Sequence, residues 1–157
     1  MYKAVLIGCG KIGYSFDKKN GTKSKLTHYG LINSHTKFQL EAIADTDESI
    51  IKHISKIHGI RVYNNHIELL QNHDPDVIII STPDHTHYAI AMDVLDYKPR
   101  FVFIEKPLAD SLDKIKEIEK AYNHKGIPIM VNFSRRFFEP FISWKKMILN
   151  NRLNIKQ

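Results

Sequence analysis

Apolar residues fall along this chain in blocks of two kinds. Tyr2–Ile7, Phe38–Ala44 (FQLEAIA), Asp76–Ser81 (DVIIIS), Phe101–Ile104 (FVFI) and Ile127–Val131 (IPIMV) are short, nearly continuous apolar runs. Runs of this length, rich in Val and Ile, predict strands buried on both faces. Arg61-Val62-Tyr63 predicts a further short strand near an edge. Between the runs, apolar residues recur at helical spacing: Ile50, Ile51, Ile54 and Ile57 within 47–58; Ala91, Val94 and Leu95 within 86–97; Leu112, Ile115, Ile118 and Tyr122 within 110–124. Gly59 and Gly126 stand where left-handed helix stops are expected, and Asp110 or Ser111 can cap the third helix. Strands alternating with helices imply right-handed crossovers and a parallel sheet covered on both faces, an α/β doubly wound fold of Rossmann type.

The pattern changes near the end. Pro140 suits a first helical turn, and Phe141, Trp144, Met147 and Ile148 form a stripe before Asn150-Asn151. This linking helix has little chain after it to cover its apolar side.

Composition narrows the class. A chain of 157 residues with 43% hydrophobic content is sized for one domain with a short appendage. No apolar run is long enough for a membrane helix, and the N-terminus lacks a signal-peptide pattern, so a cytoplasmic protein is expected. The lone Cys9 excludes a disulfide framework or a Cys-rich zinc site. The net charge of +6 is local: residues 1–132 are almost balanced, whereas Arg135, Arg136, Lys145, Lys146, Arg152 and Lys156 face only Glu139 beyond them. With no Arg cluster or nucleic-acid motif, this tail does not point to nucleic acid.

Chemistry enters at Gly8-Cys9-Gly10-Lys11-Ile12-Gly13, a G-x-G-x-x-G sequence following the first predicted strand. In a dinucleotide-binding turn the first glycine permits the sharp exit from the strand. The second lets backbone approach a pyrophosphate, and the third allows close helix–strand packing. A polar, lysine-rich insertion over 15–25 follows, and the helix is expected only at about 27–35, with Thr27 as cap. Asp45, directly after the second strand, is placed to accept hydrogen bonds from adenosine ribose hydroxyls, which favours NAD over NADP; the alternative is that it only caps the next helix. Lys18, Lys19, Lys23 and Lys25 could attract an NADP phosphate, or form a solvated loop. Cys9, with no base near it in sequence, reads as a small filler within the turn.

Two more segments end predicted strands: Ser81-Thr82-Pro83-Asp84-His85-Thr86-His87 and Glu105-Lys106-Pro107. An open α/β sheet binds ligands at this end of its strands. A lysine there can donate to a substrate oxygen and stabilise developing alkoxide charge. His85 and His87 lack further ligands at metal spacing, so no metal site is expected.

Together, GCGKIG, AIADTD, IISTPDHTHYAIAMDVL, FIEKPLADS and VNFSRRFFEP resemble the Gfo/Idh/MocA oxidoreductases, in order and spacing, over residues 1 to about 145. The resemblance implies an NAD(P)-dependent dehydrogenase or reductase of sugars, polyols or their derivatives. It implies that Lys106 is the catalytic-site lysine, contacting substrate and nicotinamide ribose. Ser81, Thr82, Pro83, His87 and Glu105 would join Gly8, Cys9, Gly10, Lys11, Ile12, Gly13 and Asp45 around the cofactor, with a cis bond before Pro107. Asn132 and Arg136 resemble polar residues leading into the family's second domain, and Arg136 is a candidate substrate contact.

That second domain, which carries a D-x-x-x-H-like motif, binds substrate and provides a dimer surface, has no counterpart in these residues. The expected organisation is a nucleotide-binding domain over 1–132 and a linking segment over 133–157. Three functional readings remain open: the nucleotide half of a sugar or polyol dehydrogenase, a free-standing NAD(P)-binding sensor or partner subunit, or an enzyme completed by another chain, with a homo-oligomer possible in any of them.

Overall fold

The computed structural model of the protein describes residues 1–17 and 25–150. Six strands, β1 (Tyr2–Ile7), β2 (Phe38–Ala44), β3 (Arg61–Tyr63), β4 (Val77–Ile80), β5 (Phe101–Glu105) and β6 (Ile129–Asn132), form one sheet in the order β3-β2-β1-β4-β5-β6. Every pairing is parallel. The crossovers run through α1 (His28–Ser34), α2 (Glu48–His58), α3 (His66–Asn72), α4 (His87–Val94) and α5 (Leu112–Lys125); α6 (Glu139–Leu149) follows β6.

Alternation along the strands explains why the runs are apolar throughout. Ala4, Leu6, Ile43 and Ile79 face Tyr29 of α1 and Ile54 of α2, whereas Val5, Ile7, Ile78, Ile80, Val102 and Ile104 face Leu69, Leu70, Ala91, Val94, Ile118 and Tyr122 of α3, α4 and α5. A strand buried on both faces has no position for an exposed polar side chain.

The caps follow sequence chemistry. The Asp47 side chain accepts from the Ser49 and Ile50 N–H groups and starts α2; Ser111 does the same for α5 through Lys114 N–H. Gly59 and Gly126 end these helices with positive φ. Two expectations need correction. Leu112 opens α5 and is 64% exposed, so the buried stripe of that helix begins further along, with Ile118 and Tyr122. The helix α3, capped by Asn65, was not expected from the pattern because it buries only two adjacent leucines within seven residues.

The third correction concerns the insertion. The helix is not postponed to Thr27 but split. A widened helical turn forms at once over Lys11–Ser15, with both Tyr14 N–H and Ser15 N–H donating to the Gly10 carbonyl. The chain then returns as α1, whose Thr27 hydroxyl accepts from Gly30 N–H as expected of a cap. Lys25 is exposed; Lys18, Lys19 and Lys23 lie outside the described residues.

Candidate functional site

The strand register builds the site. Ile7 pairs with Ala44 on one side and Ile80 on the other; Ile80 pairs with Ile104, and Ile104 with Val131. The residues one step beyond that row are Gly8, Asp45, Ser81, Glu105 and Asn132. Five positions scattered over the chain thus stand side by side at the carboxyl edge, around the β1/β4 switch point where such sheets bind ligands.

At the glycine turn, Gly8 has φ +92°, and a Cβ there would lie 2.7 Å from the backbone of Ser81 and Thr82. A Cβ on Gly13 would stand 2.2 Å from the Gly8 carbonyl oxygen and 2.9 Å from Ser81 Oγ. Gly10 differs: its Cβ position meets nothing within 4 Å. Two glycines therefore close the turn and the third leaves room in front of it, which is the division a pyrophosphate needs. Ser81 locks the arrangement by donating its hydroxyl to the Gly8 carbonyl at 2.7 Å.

Asp45 reaches across from β2. Its Oδ2 accepts from Cys9 N–H at 2.6 Å and its Oδ1 from Asp47 N–H at 2.8 Å. The cap of α2 is Asp47, so Asp45 is left at the mouth of the turn as a half-buried carboxylate.

On the other side stands the turn 105–107, with a cis peptide between Lys106 and Pro107. Lys106 and Pro107 are exposed. Glu105, directly before them, is half-buried, its Oε1 accepting from Asn132 Nδ2 at 2.6 Å and lying 2.8 Å from His28 Nε2. His87 is 1% exposed, with Nδ1 2.6 Å from the Pro107 carbonyl and Nε2 2.9 Å from the Thr82 carbonyl. It ties the segment after β4 to the lysine turn from below. Thr82 is half-buried, and Pro83 and His85 are exposed. Arg136 is exposed on the turn Ser134–Phe137, beyond β6. Among the described residues, no group of three or more His, Cys, Asp or Glu side chains is arranged to hold a metal ion. Nor is any helix among them long and apolar enough to cross a membrane.

Comparison with known proteins decides the family. Residues 2–133 match the model of the Gfo/Idh/MocA oxidoreductase family, NAD-binding Rossmann fold. The chain belongs to this family. An uncharacterized oxidoreductase of Bacillus subtilis, YrbE, is 30% identical over 149 residues, covering 94% of this chain and 40% of that protein. An inositol 2-dehydrogenase of Rubrobacter xylanophilus is 29% identical over 112 residues, or 70% of this chain and 32% of the relative. The WlbA dehydrogenase of Bordetella pertussis, solved with NADH and UDP-GlcNAcA, superposes with a TM-score of 0.81 at 25% identity, over 98% of this chain and 43% of the other. The chain thus spans about two fifths or less of the relatives it matches.

Within this NAD-binding fold the electrostatics separate inert from active groups. Cys9 is fully buried, and burial, reinforced by the Asp45 carboxylate, pushes its thiol well above the usual range. The thiolate is the reactive form. Cys9 should therefore resist a thiol reagent in the native chain and react only at the rate of unfolding; prompt stoichiometric labelling without denaturant would contradict this reading.

Glu105 goes the other way. Burial raises its carboxyl, but the hydrogen bonds from His28 and Asn132 outweigh burial and hold it below the ordinary range. A lowered carboxyl stabilises the fold fully above the unfolded pKa of about 4.3 and loses that contribution as pH falls through the lower folded value. Glu105→Gln is expected to cost about 1–2 kcal/mol near neutrality. In denaturant titrations at stepped pH, the gap to wild type should close as pH drops below about 4. A gap that persists or widens in acid would contradict the charged-state assignment.

Sequence reasoning singled out Glu105 and Asn132 but not His28, which the fold brings to them from a helix 77 residues before Glu105. The only sequence signal was a histidine directly after a helix cap, and that says nothing about its partner.

Proposed function

We propose that the chain is the NAD-binding half of an oxidoreductase that moves hydride between a nicotinamide and a hydroxyl or carbonyl of a sugar, polyol or sugar derivative. The observation that carries this is the single row at the carboxyl edge, with open space at Gly10, a carboxylate at Asp45 and an exposed lysine at Lys106. The inositol dehydrogenases among the relatives, and the sugar nucleotide solved with WlbA, support the substrate class.

In this reading Gly8, Cys9, Gly10, Lys11, Ile12 and Gly13 present backbone to the phosphates. Asp45 accepts from the adenosine ribose and disfavours a 2′-phosphate, so NAD is preferred over NADP. Ser81, Thr82, Pro83 and Glu105 flank the remainder of the dinucleotide, and His87 keeps the two strand-end segments in register. NAD, when bound, supplies the hydride acceptor or donor. Lys106 donates to the reacting substrate oxygen and stabilises its charge, and Arg136 assists in holding substrate. The assignment of 1–132 to the nucleotide domain and 133–157 to a linking segment belongs to the same proposal. So do assembly into a homo-oligomer and a cytoplasmic setting, in which a lone thiol stays reduced. Phe141, Trp144 and Ile148 are exposed on α6, as suits a helix that packs against a further part of the assembled enzyme.

Asp45→Ala tests the reading. The substitution orphans the Cys9 and Asp47 N–H groups, so a stability loss of about 1–3 kcal/mol is expected. Calorimetry should show NAD affinity falling about 10-fold or more, about 1.4 kcal/mol, with NADP affinity little changed. Equal losses for both dinucleotides would make Asp45 a purely structural support of the turn.

A further inference from the structure

We propose that His28 is a positioning residue for Lys106, acting through the Glu105 carboxylate. The inference rests on the proposed use of Lys106 at the substrate end of the site. Its physical basis is the hydrogen bonding that holds the start of α1, and the bond from His28 to Glu105, the residue directly before Lys106.

The run begins at Asp17, in the helical stretch that follows Gly13. Asp17 Oδ1 accepts from Leu26 N–H at 2.8 Å, and Oδ2 accepts from Thr27 N–H at 3.2 Å and from the Thr27 hydroxyl at 2.5 Å. These bonds close the split in the helix and fix Thr27, the cap of α1. Gly30 leaves room beside them, since a Cβ there would stand 2.3 Å from Asp17 Oδ2 and would push that carboxylate aside. A start so tightly held aims His28 in one direction. Its imidazole is 9% exposed, packs edge-on against Phe103 with ring centroids 5.5 Å apart, and ends on Glu105.

Glu105 is a poor candidate for a passive partner. A buried histidine needing only satisfaction can use backbone carbonyls, as His87 does in this same chain. His28 instead engages the one carboxylate directly preceding Lys106. Asn132 holds the same oxygen from β6, so Glu105 is fixed between two elements. With Glu105 pinned from before the lysine and the Pro107 carbonyl pinned by His87 after it, the backbone of Lys106 has little freedom. Its side chain therefore projects from a fixed base. Releasing His28 leaves Glu105 held by Asn132 alone, and the base loosens.

The test uses isotope-labelled lysine in the chain without dinucleotide, so its outcome is independent of whether NAD binds. The Lys106 side-chain signal is identified by its loss in Lys106→Arg. In the wild type it should stand apart from the other exposed lysines. In His28→Ala it should move by several linewidths toward them, and in His28→Gln, whose amide keeps an N–H donor of similar reach, it should return. Should alanine cost the fold, His28→Asn, whose amide stops short of Glu105, takes its place with the same expectations. A Lys106 signal that already coincides with exposed lysines in the wild type, that stays put in the folded variant, or that glutamine does not restore overturns the proposal.

Discussion

Gly10→Ala is expected to leave the folding stability of the chain almost unchanged while weakening NAD binding at least about 10-fold. Gly10 has φ −63°, which an alanine adopts freely, and its Cβ position is open. Among the described residues nothing resists the methyl group, whereas a bound pyrophosphate would. Gly13→Ala should behave in the opposite way. Its Cβ would meet the Gly8 carbonyl at 2.2 Å, and that carbonyl is held by the Ser81 hydroxyl. Backbone cannot yield there as a flexible side chain would, so a loss of roughly 3 kcal/mol is expected in denaturant titration. The pair separates the two roles of the motif. Equal stability loss in both variants, or full NAD affinity in Gly10→Ala, would show that the turn is a packing device alone.

The second large effect is expected in turnover. The chain should bind NAD and yet form no detectable NADH when supplied with myo-inositol or a sugar nucleotide. Lys106 stands exposed at the edge of the sheet, whereas hydride transfer requires a second proton-transferring group within hydrogen-bond reach and a cleft that excludes water. The chain spans 40% of the length of YrbE, and we assign that group and that cleft wall to the part of the relatives outside the match. The check is the absorbance of reduced nicotinamide over many hours at high protein concentration. Turnover that depends on Lys106 would contradict the assignment and make the site complete within these residues.

Much of this was legible in the residues because the determinants are local. Buried parallel strands read as apolar runs, the caps of α1 and α5 as Thr27 and Ser111, helix stops as Gly59 and Gly126, and in the turn Gly8 and Gly13 press on neighbouring backbone while Gly10 stands open. The edge row was partly legible, since Asp45, Ser81, Glu105 and Asn132 each follow or end a strand. What could not be read depended on tertiary placement. The split helix is held by Asp17, whose three donors lie across the insertion, and no periodicity reports such a closure. His28 acquires its partner only when α1 settles beside β5. Leu112 sits at helical spacing from Ile115, yet it occupies the first turn of α5, before the helix meets the sheet. Periodicity identifies a face but not where along the helix that face becomes covered.

The central claim is that the glycine turn and Asp45 form a working NAD site in this chain. Calorimetric titration of the 157-residue chain with NAD and, separately, NADP tests it most directly. The expected result is saturable binding of one NAD per chain in the micromolar range or weaker, with NADP bound more weakly still. Absence of binding by both dinucleotides, or a preference for NADP, would contradict it.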